Sequence, residues 1–199
     1  MDPVVRLATP ADAAACAAIY APYVEETSIS FEAVPPTADE MAARITRTIG
    51  RTPWVVVEVG GTVRAYAYGG RHRERAAYDW TVETTVYVDR DFGRQGLGRM
   101  AMAAVIAILR LQGAHLAVAG VTLPNPGSVR LHESLGFQPI GEFEAIGWKQ
   151  GGWHGVAWYA LELGPRDRAP GAFVPLPQLA GTAALAACLR PARGAVSET

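Results

Sequence analysis

The sequence predicts an α+β, three-layer domain: a mixed central β-sheet of about seven strands flanked by helices on both faces. Three observations predict it. Short β-rich runs come first, and strands then alternate with helical patterns. A glycine-rich turn joins one strand directly to the longest amphipathic stripe. Cap and turn residues punctuate nearly every element.

Residues 4–8 read as a short apolar strand. Thr9-Pro10-Ala11-Asp12 is a helix start, with Thr as N-cap and Pro at the first helical position, and the helix runs toward Tyr20. Thr37 with Glu40 forms a capping box before a helix ending near Gly50. Residues 54–59 and 62–68 are β-rich runs separated by Gly60-Gly61, a two-residue hairpin signal. A longer strand covers 79–88. Leu97, Met100, Ala101, Ala104, Val105, Ile108 and Leu111 make one stripe of a helix over 97–112, stopped by Gly113. A strand at 115–121, a helix at 126–135 stopped by Gly136, and strands near 138–143 and 154–163 complete the order β-α-α-β-β-β-α-β-α-β-β. A strand meander followed by strand–helix alternation packs naturally as a mixed sheet covered on both sides. Residues 1–164 are one domain. After Gly164 the composition shifts to Pro, Ala and Gly, and 165–199 is expected to be a poorly ordered tail with a helical turn pair around 183–189.

Half of the 199 residues are hydrophobic, and 18 basic against 19 acidic residues leave a net charge of −1. That balance argues against a nucleic-acid or polyanion partner. No apolar run approaches the ~20 residues that span a bilayer, and no signal peptide is read, so no membrane partner is expected. Two distant cysteines, Cys16 and Cys188, make no disulfide framework, and a reducing cytoplasm is the default. The four histidines show no metal-ligand spacing with Cys, Asp or Glu, so no metal site is expected.

The chemistry begins where the strand Val86-Tyr87-Val88 runs into Asp89-Arg90-Asp91-Phe92-Gly93-Arg94-Gln95-Gly96-Leu97-Gly98-Arg99 and a helix. A glycine turn at a helix N-terminus exposes backbone N–H groups and favours an anion. Arg94 and Arg99 add positive charge. No Lys follows the glycines as a P-loop requires, and no acidic residue lies about twenty residues on as a dinucleotide fold requires. A plain tight turn is the other reading of the glycines.

With its companions, the turn resembles the GNAT acetyltransferases, and within them the phosphinothricin and methionine sulfoximine acetyltransferases. The carrying stretches are Thr27-Ser28-Ile29-Ser30-Phe31-Glu32, Ala77-Tyr78-Asp79-Trp80-Thr81-Val82-Glu83-Thr84-Thr85-Val86-Tyr87-Val88 and Gln95-Gly96-Leu97-Gly98. They continue in Leu123-Pro124-Asn125, Ser128-Val129-Arg130-Leu131-His132-Glu133-Ser134-Leu135-Gly136-Phe137 and Lys149-Gln150-Gly151-Gly152-Trp153-His154. The likeness covers about 4–163. It implies acetyl-CoA as co-substrate, its pantetheine arm held like an added strand by Val86, Tyr87 and Val88. It implies its pyrophosphate on Arg94, Gln95, Gly96, Leu97, Gly98 and Arg99, and further contacts from Asn125 and Ser128. Gly93 departs from the usual Arg or Gln of the turn, and Gln150 and Gly155 stand where relatives often carry other residues.

A neutral-pH amine is mostly ammonium and must lose a proton before it attacks a thioester, and the departing thiolate must gain one. The resemblance implies Glu83 as the general base; from its position alone, a strand Glu in a surface pair is the favoured reading. It implies His132 as the second proton-handling group, either acid for the thiolate or second base. Asn125, Ser128 and His132 share one helix face by their i, i+3, i+7 spacing, and a packed helix histidine is the alternative. Arg73 and Arg75 match basic positions of the subgroup and supply forks suited to a carboxylate; a solvated loop is the other reading. Phe31, Tyr78, Trp80 and Trp153 are candidates to wall the aliphatic part of the substrate, with Thr84 and Thr85 beside Glu83. The expected reaction is acetyl transfer to the primary amine of a small amino-acid-like substrate, in a ternary complex, by a homodimer. The rival readings are an acetyltransferase for a protein N-terminus or polyamine, and a non-catalytic acyl-CoA-binding module.

Overall fold

The computed structural model describes residues 2–190. Seven strands form one sheet: β1 (Val4–Leu7), β2 (Trp54–Val59), β3 (Thr62–Arg71), β4 (Thr81–Val88), β5 (Leu116–Thr122), β6 (Gln138–Lys149) and β7 (Gly152–Glu162). Their order is β1-β2-β3-β4-β5-β7-β6, and every pairing is antiparallel except β4 with β5. Helices α1 (Ala13–Glu25) and α2 (Ala38–Ile49) cover one face; α3 (Leu97–Leu111) and α4 (Pro126–Ser134) belong to the other.

The two faces follow from strand alternation. Val55, Val57, Ala65, Ala67, Val82, Ala117 and Ala119 point at α3 and meet Ala101, Val105 and Ile108. Trp54, Val56 and Tyr66 point the other way, at Cys16, Ile19 and Tyr20 of α1 and Met41 and Ile45 of α2. Cys16 is wholly buried there, and burial pushes its thiol up to about 12, which leaves an inert apolar filler.

The capping box at Thr37 and Glu40 is present, with Glu40 N–H donating to Thr37 Oγ1 at 3.2 Å. Gly60 and Gly61 both take left-handed φ, +61° and +76°, as a tight hairpin between strands of natural twist requires. Three elements differ from expectation. α1 continues past Tyr20 to Glu25 with Pro22 in its last turn, at the loss of the one backbone bond that Pro22 has no N–H to donate. The β6–β7 hairpin is longer than the apolar pattern suggests. A bulge between Phe143 and Gly147, with Ala145 at φ +47°, interrupts the alternation that would have marked it.

The third difference lies beyond Gly164. A turn at Leu176–Leu179 and helix α5 (Ala183–Cys188) bury Leu176, Leu179 and Leu185 in the α3-side core. Gln112, fully buried, donates from Nε2 to Arg51 O (2.7 Å) and Val174 O (2.8 Å), and Val174 N–H returns to Gln112 O (2.8 Å). The expected tail is instead a strap, held by three leucines that the Pro/Ala/Gly composition obscured. The last nine positions of that expectation, 191–199, lie outside the described residues. Among the described residues no helix is long and apolar enough to cross a membrane.

Candidate active site

β4 and β5 pair only at Thr81↔Leu116, Val82↔Ala117 and Glu83↔Val118. Beyond Glu83 they diverge: β4 continues to Val88 on β3 alone, and β5 continues to Thr122 on β7 alone. Asp89 N–H donates to Arg64 O (2.7 Å) on the β3 side. By alternation, the N–H and C=O groups of Val86 and Val88 face away from β3 and into the opening. Tyr23 Oη donates to one of them, Val88 O, at 2.7 Å.

That edge lines a cleft of about 400 Å³. Its floor continues through Phe92, Arg94, Gly96, Leu97, Gly98 and Arg99, and Asn125 and Ser128 of α4 close it. Arg94 takes a left-handed φ of +61°, and Gly96 follows at +79°. Such a reversal turns successive N–H groups to one side, a nest for an anion. No side chain caps the N-terminus of α3, so its first N–H groups stay open to a ligand. α4 differs: Asn125 Oδ1 accepts from Ser128 N–H at 3.1 Å and caps its own helix. Gly98 is required by space, since a Cβ there would stand 3.0 Å from both Leu131 Cδ1 and Val88 Cγ2.

Of the expected cofactor residues, all but Gln95 line this cleft. Tyr23 and Ile29 line it too, brought by chain reversals that leave no local motif.

Alternation places Glu83, opposite Gly70 and Val118, on the α1/α2 face. The cations around it are engaged elsewhere. Arg71 and Arg51 reach Asp79 Oδ1 at 2.5 and 3.3 Å, and Arg44 forms a two-pronged pair with Glu32 at 2.7 and 2.9 Å. The Arg44 guanidinium holds the Glu32 carboxyl below its ordinary range. Glu83 has one protein partner among the described residues, His72, whose Nδ1 lies 3.3 Å from Oε2.

His132 lies on the opposite face. It is 3% exposed, stacked over Tyr159 and edge-on to Phe137, and does not line the cleft. Its Nδ1 lies 2.8 Å from Ser128 O, which can only accept, so Nδ1 carries the hydrogen and Nε2 the lone pair. Nε2 is buried without a partner, and burial lowers the imidazole below its ordinary value. The ring is therefore neutral at pH 7, able to accept a proton and not to donate one from Nε2.

The remaining substrate candidates scatter. Thr85 shares the face of Glu83, two residues on. Thr84 faces the other side, buried, with Oγ1 donating to Val118 O at 3.2 Å. Trp80 donates its indole N–H to Gly171 O of the strap at 2.7 Å. Tyr78 lies edge-on to His72, 5.9 Å between centroids. Trp153 is 63% exposed and packs on Trp148. Arg73 and Arg75 are exposed, and among the described residues Arg73 reaches only the carbonyl of His72. The basic wall lies elsewhere: Arg44, Arg47, Arg51 and Arg71 line a cavity of about 830 Å³ with Trp54 and Tyr68. Their sequence spacing, on a helix, a loop and a strand end, gave no sign that they converge.

Phe31 is placed by a clamp. Lys149 Nζ donates to Val24 O and Ser30 O, each at 2.6 Å, and to Glu32 O at 2.8 Å, fixing the α1–α2 connection on the β6–β7 hairpin. The Phe31 ring then covers Gly147, where a Cβ would collide with it. Among the described residues no three His, Cys, Asp or Glu side chains form a metal-binding group.

The family model described as an acetyltransferase (GNAT) domain matches residues 5–158. A phosphinothricin N-acetyltransferase of Streptomyces viridochromogenes is 43% identical over 159 residues, covering 80% of this chain and 87% of the relative. An L-methionine sulfoximine/L-methionine sulfone acetyltransferase of Salmonella typhimurium is 34% identical, covering 80% and 94%. Among solved structures, a phosphinothricin acetyltransferase from Sinorhizobium meliloti in complex with AcCoA superposes with a TM-score of 0.81 at 30% identity, covering 86% of this chain and 94% of that one. With the open strand edge, the uncapped helix and these matches together, the chain belongs to the GNAT acetyltransferase family.

Proposed function

We propose that the protein transfers the acetyl group of acetyl-CoA to the primary amine of a small amino-acid-like substrate of the phosphinothricin, methionine sulfoximine or methionine sulfone type. The carrying observation is the splay of β4 from β5, with an anion cradle at one end and Glu83 at its vertex, free of any arginine or lysine partner among the described residues.

The cleft fits a coenzyme A thioester: open backbone groups at Val86 for an extended amide chain, and the Arg94–Gly98 nest for the pyrophosphate. Glu83 takes a proton from the substrate ammonium, directly or through water. The amine attacks the carbonyl carbon, the N–C bond forms, and the Val86 N–H steadies the oxyanion. The C–S bond breaks. The second amine proton passes to the thiolate; His132, buried outside the cleft, is not placed to relay it. The four arginines of the neighbouring cavity suit a substrate carboxylate and disfavour a polyamine.

A homodimer fits the exposed edge strand β6, where Ile140, Phe143, Ile146 and Trp148 are each more than half exposed. A cytoplasmic setting fits the unpaired Cys16 and Cys188.

Thiol release from acetyl-CoA, measured on phosphinothricin, methionine sulfoximine, methionine sulfone, spermidine and an Ala-terminated peptide, tests this reading. Turnover on the first three alone is expected. Turnover only on spermidine or the peptide would contradict the substrate class, and binding without turnover on any would favour an acyl-CoA-binding module.

A further inference from the structure

We infer that His72 is a positioning residue that fixes the Glu83 carboxylate for proton removal, a role resting on the assignment of Glu83 as base. A carboxylate only accepts, so the 3.3 Å contact requires the hydrogen on His72 Nδ1, donated to Glu83 Oε2. Two rings hold the imidazole plane: Tyr78 meets it at 70° and 5.9 Å, and Trp158 of β7 at 77° and 6.1 Å. The backbone makes the approach possible. β3 ends at Arg71, one residue before His72, and the position opposite Glu83 is Gly70, which puts no side chain over the carboxylate.

The choice of partner has a chemical consequence. Arginines are abundant here, and each is directed elsewhere: Arg71 and Arg51 to Asp79, Arg44 to Glu32, Arg73 to a carbonyl. An arginine fork on Glu83 would occupy both oxygens and hold the carboxylate ionised, a poor proton acceptor. A single imidazole N–H fixes one oxygen and leaves Oε1, with no partner among the described residues, free to take a proton. His72 touches neither substrate nor thioester; it acts through Glu83.

Two replacements separate this role from packing. His72→Phe keeps a ring between Tyr78 and Trp158 and removes the donor. His72→Asn removes the ring and keeps an N–H donor at nearly the reach of Nδ1. The readouts are the single-turnover rate of acetyl transfer to phosphinothricin, the KM for acetyl-CoA and the thermal midpoint. The transfer rate is expected to fall about tenfold in His72→Phe and to stay within about threefold of the parent in His72→Asn, with the acetyl-CoA KM unchanged in both. The reverse order, Phe tolerated and Asn slow, would show a packing role and overturn the inference. So would full activity in both, or equal losses that track a lowered midpoint. Glu83→Gln is run beside them. If it transfers acetyl at the parent rate, the base assignment itself fails and the role of His72 with it. If it is inactive while His72→Phe is fully active, only the inference about His72 fails.

Discussion

The two walls of the site are built from different materials. The wall proposed for the cofactor is main chain: the open edge of β4, the Arg94–Gly98 reversal and the uncapped start of α3. The wall proposed for the substrate is side chain. It consists of carboxylate–arginine pairs, the Lys149 clamp and the His72–Glu83 contact, drawn from α2, the β3–β4 connection, the hairpin and the strap. A main-chain wall tolerates substitution at most of its positions, provided glycine remains where space or φ requires it. A wall of paired side chains changes with each partner.

Removing everything after Gly164 should have the largest effect on stability. Leu176, Leu179 and Leu185 leave the core, at ~1.5 kcal/mol or more each, so urea denaturation should show a loss on the order of 4 kcal/mol. The strap also holds the substrate wall, through Trp80 on Gly171 and Arg51 over Phe173 at 4.4 Å. The truncated enzyme should therefore show a raised amine KM with little change in acetyl-CoA affinity, and the opposite pattern would break the comparison. Gly98→Val attacks the other wall. The added side chain meets Leu131 and Val88, and overpacking of about 1–3 kcal/mol should weaken acetyl-CoA binding at least tenfold by calorimetry.

Asp79→Asn removes the charge that Arg51 and Arg71 share, while Arg51 keeps its 2.9 Å bond to the Asp79 carbonyl. These pairs are partly exposed and contribute under about 1 kcal/mol, so the amine KM should rise about threefold while the acetyl-CoA KM holds. The smallest effect concerns His132. Burial lowers its folded value below the ordinary 6.5, so the unfolded chain takes the proton first. Its contribution is complete above pH 6.5 and is lost as pH falls from there toward the folded value. Urea midpoints should decline over that interval in the parent and less steeply in His132→Phe.

The cofactor wall was legible in the sequence because it is contiguous: strand, glycine turn and helix lie between 86 and 99. The order of strands and helices was legible for the same reason, since caps and periodicity are local. The substrate wall was not. Arg44 and Arg71 are 27 positions apart, and nothing in their neighbourhoods announces a shared cavity. Arg73 and Arg75, which sit in a recognisable stretch, point into solvent. His72 looked like an isolated histidine, and only the return of β3 against β4 brings it to Glu83. The strap was hidden by its composition, although Leu176 and Leu179 lie at helical spacing.

The central claim is that proton removal and cofactor binding are separable, with Glu83 serving only the first. Calorimetry of acetyl-CoA binding and single-turnover transfer to phosphinothricin, both on Glu83→Gln, test it together. The account predicts an affinity within about twofold of the parent and a transfer rate lower by at least about a hundredfold. Transfer at the parent rate, or lost acetyl-CoA binding in a folded variant, would contradict it.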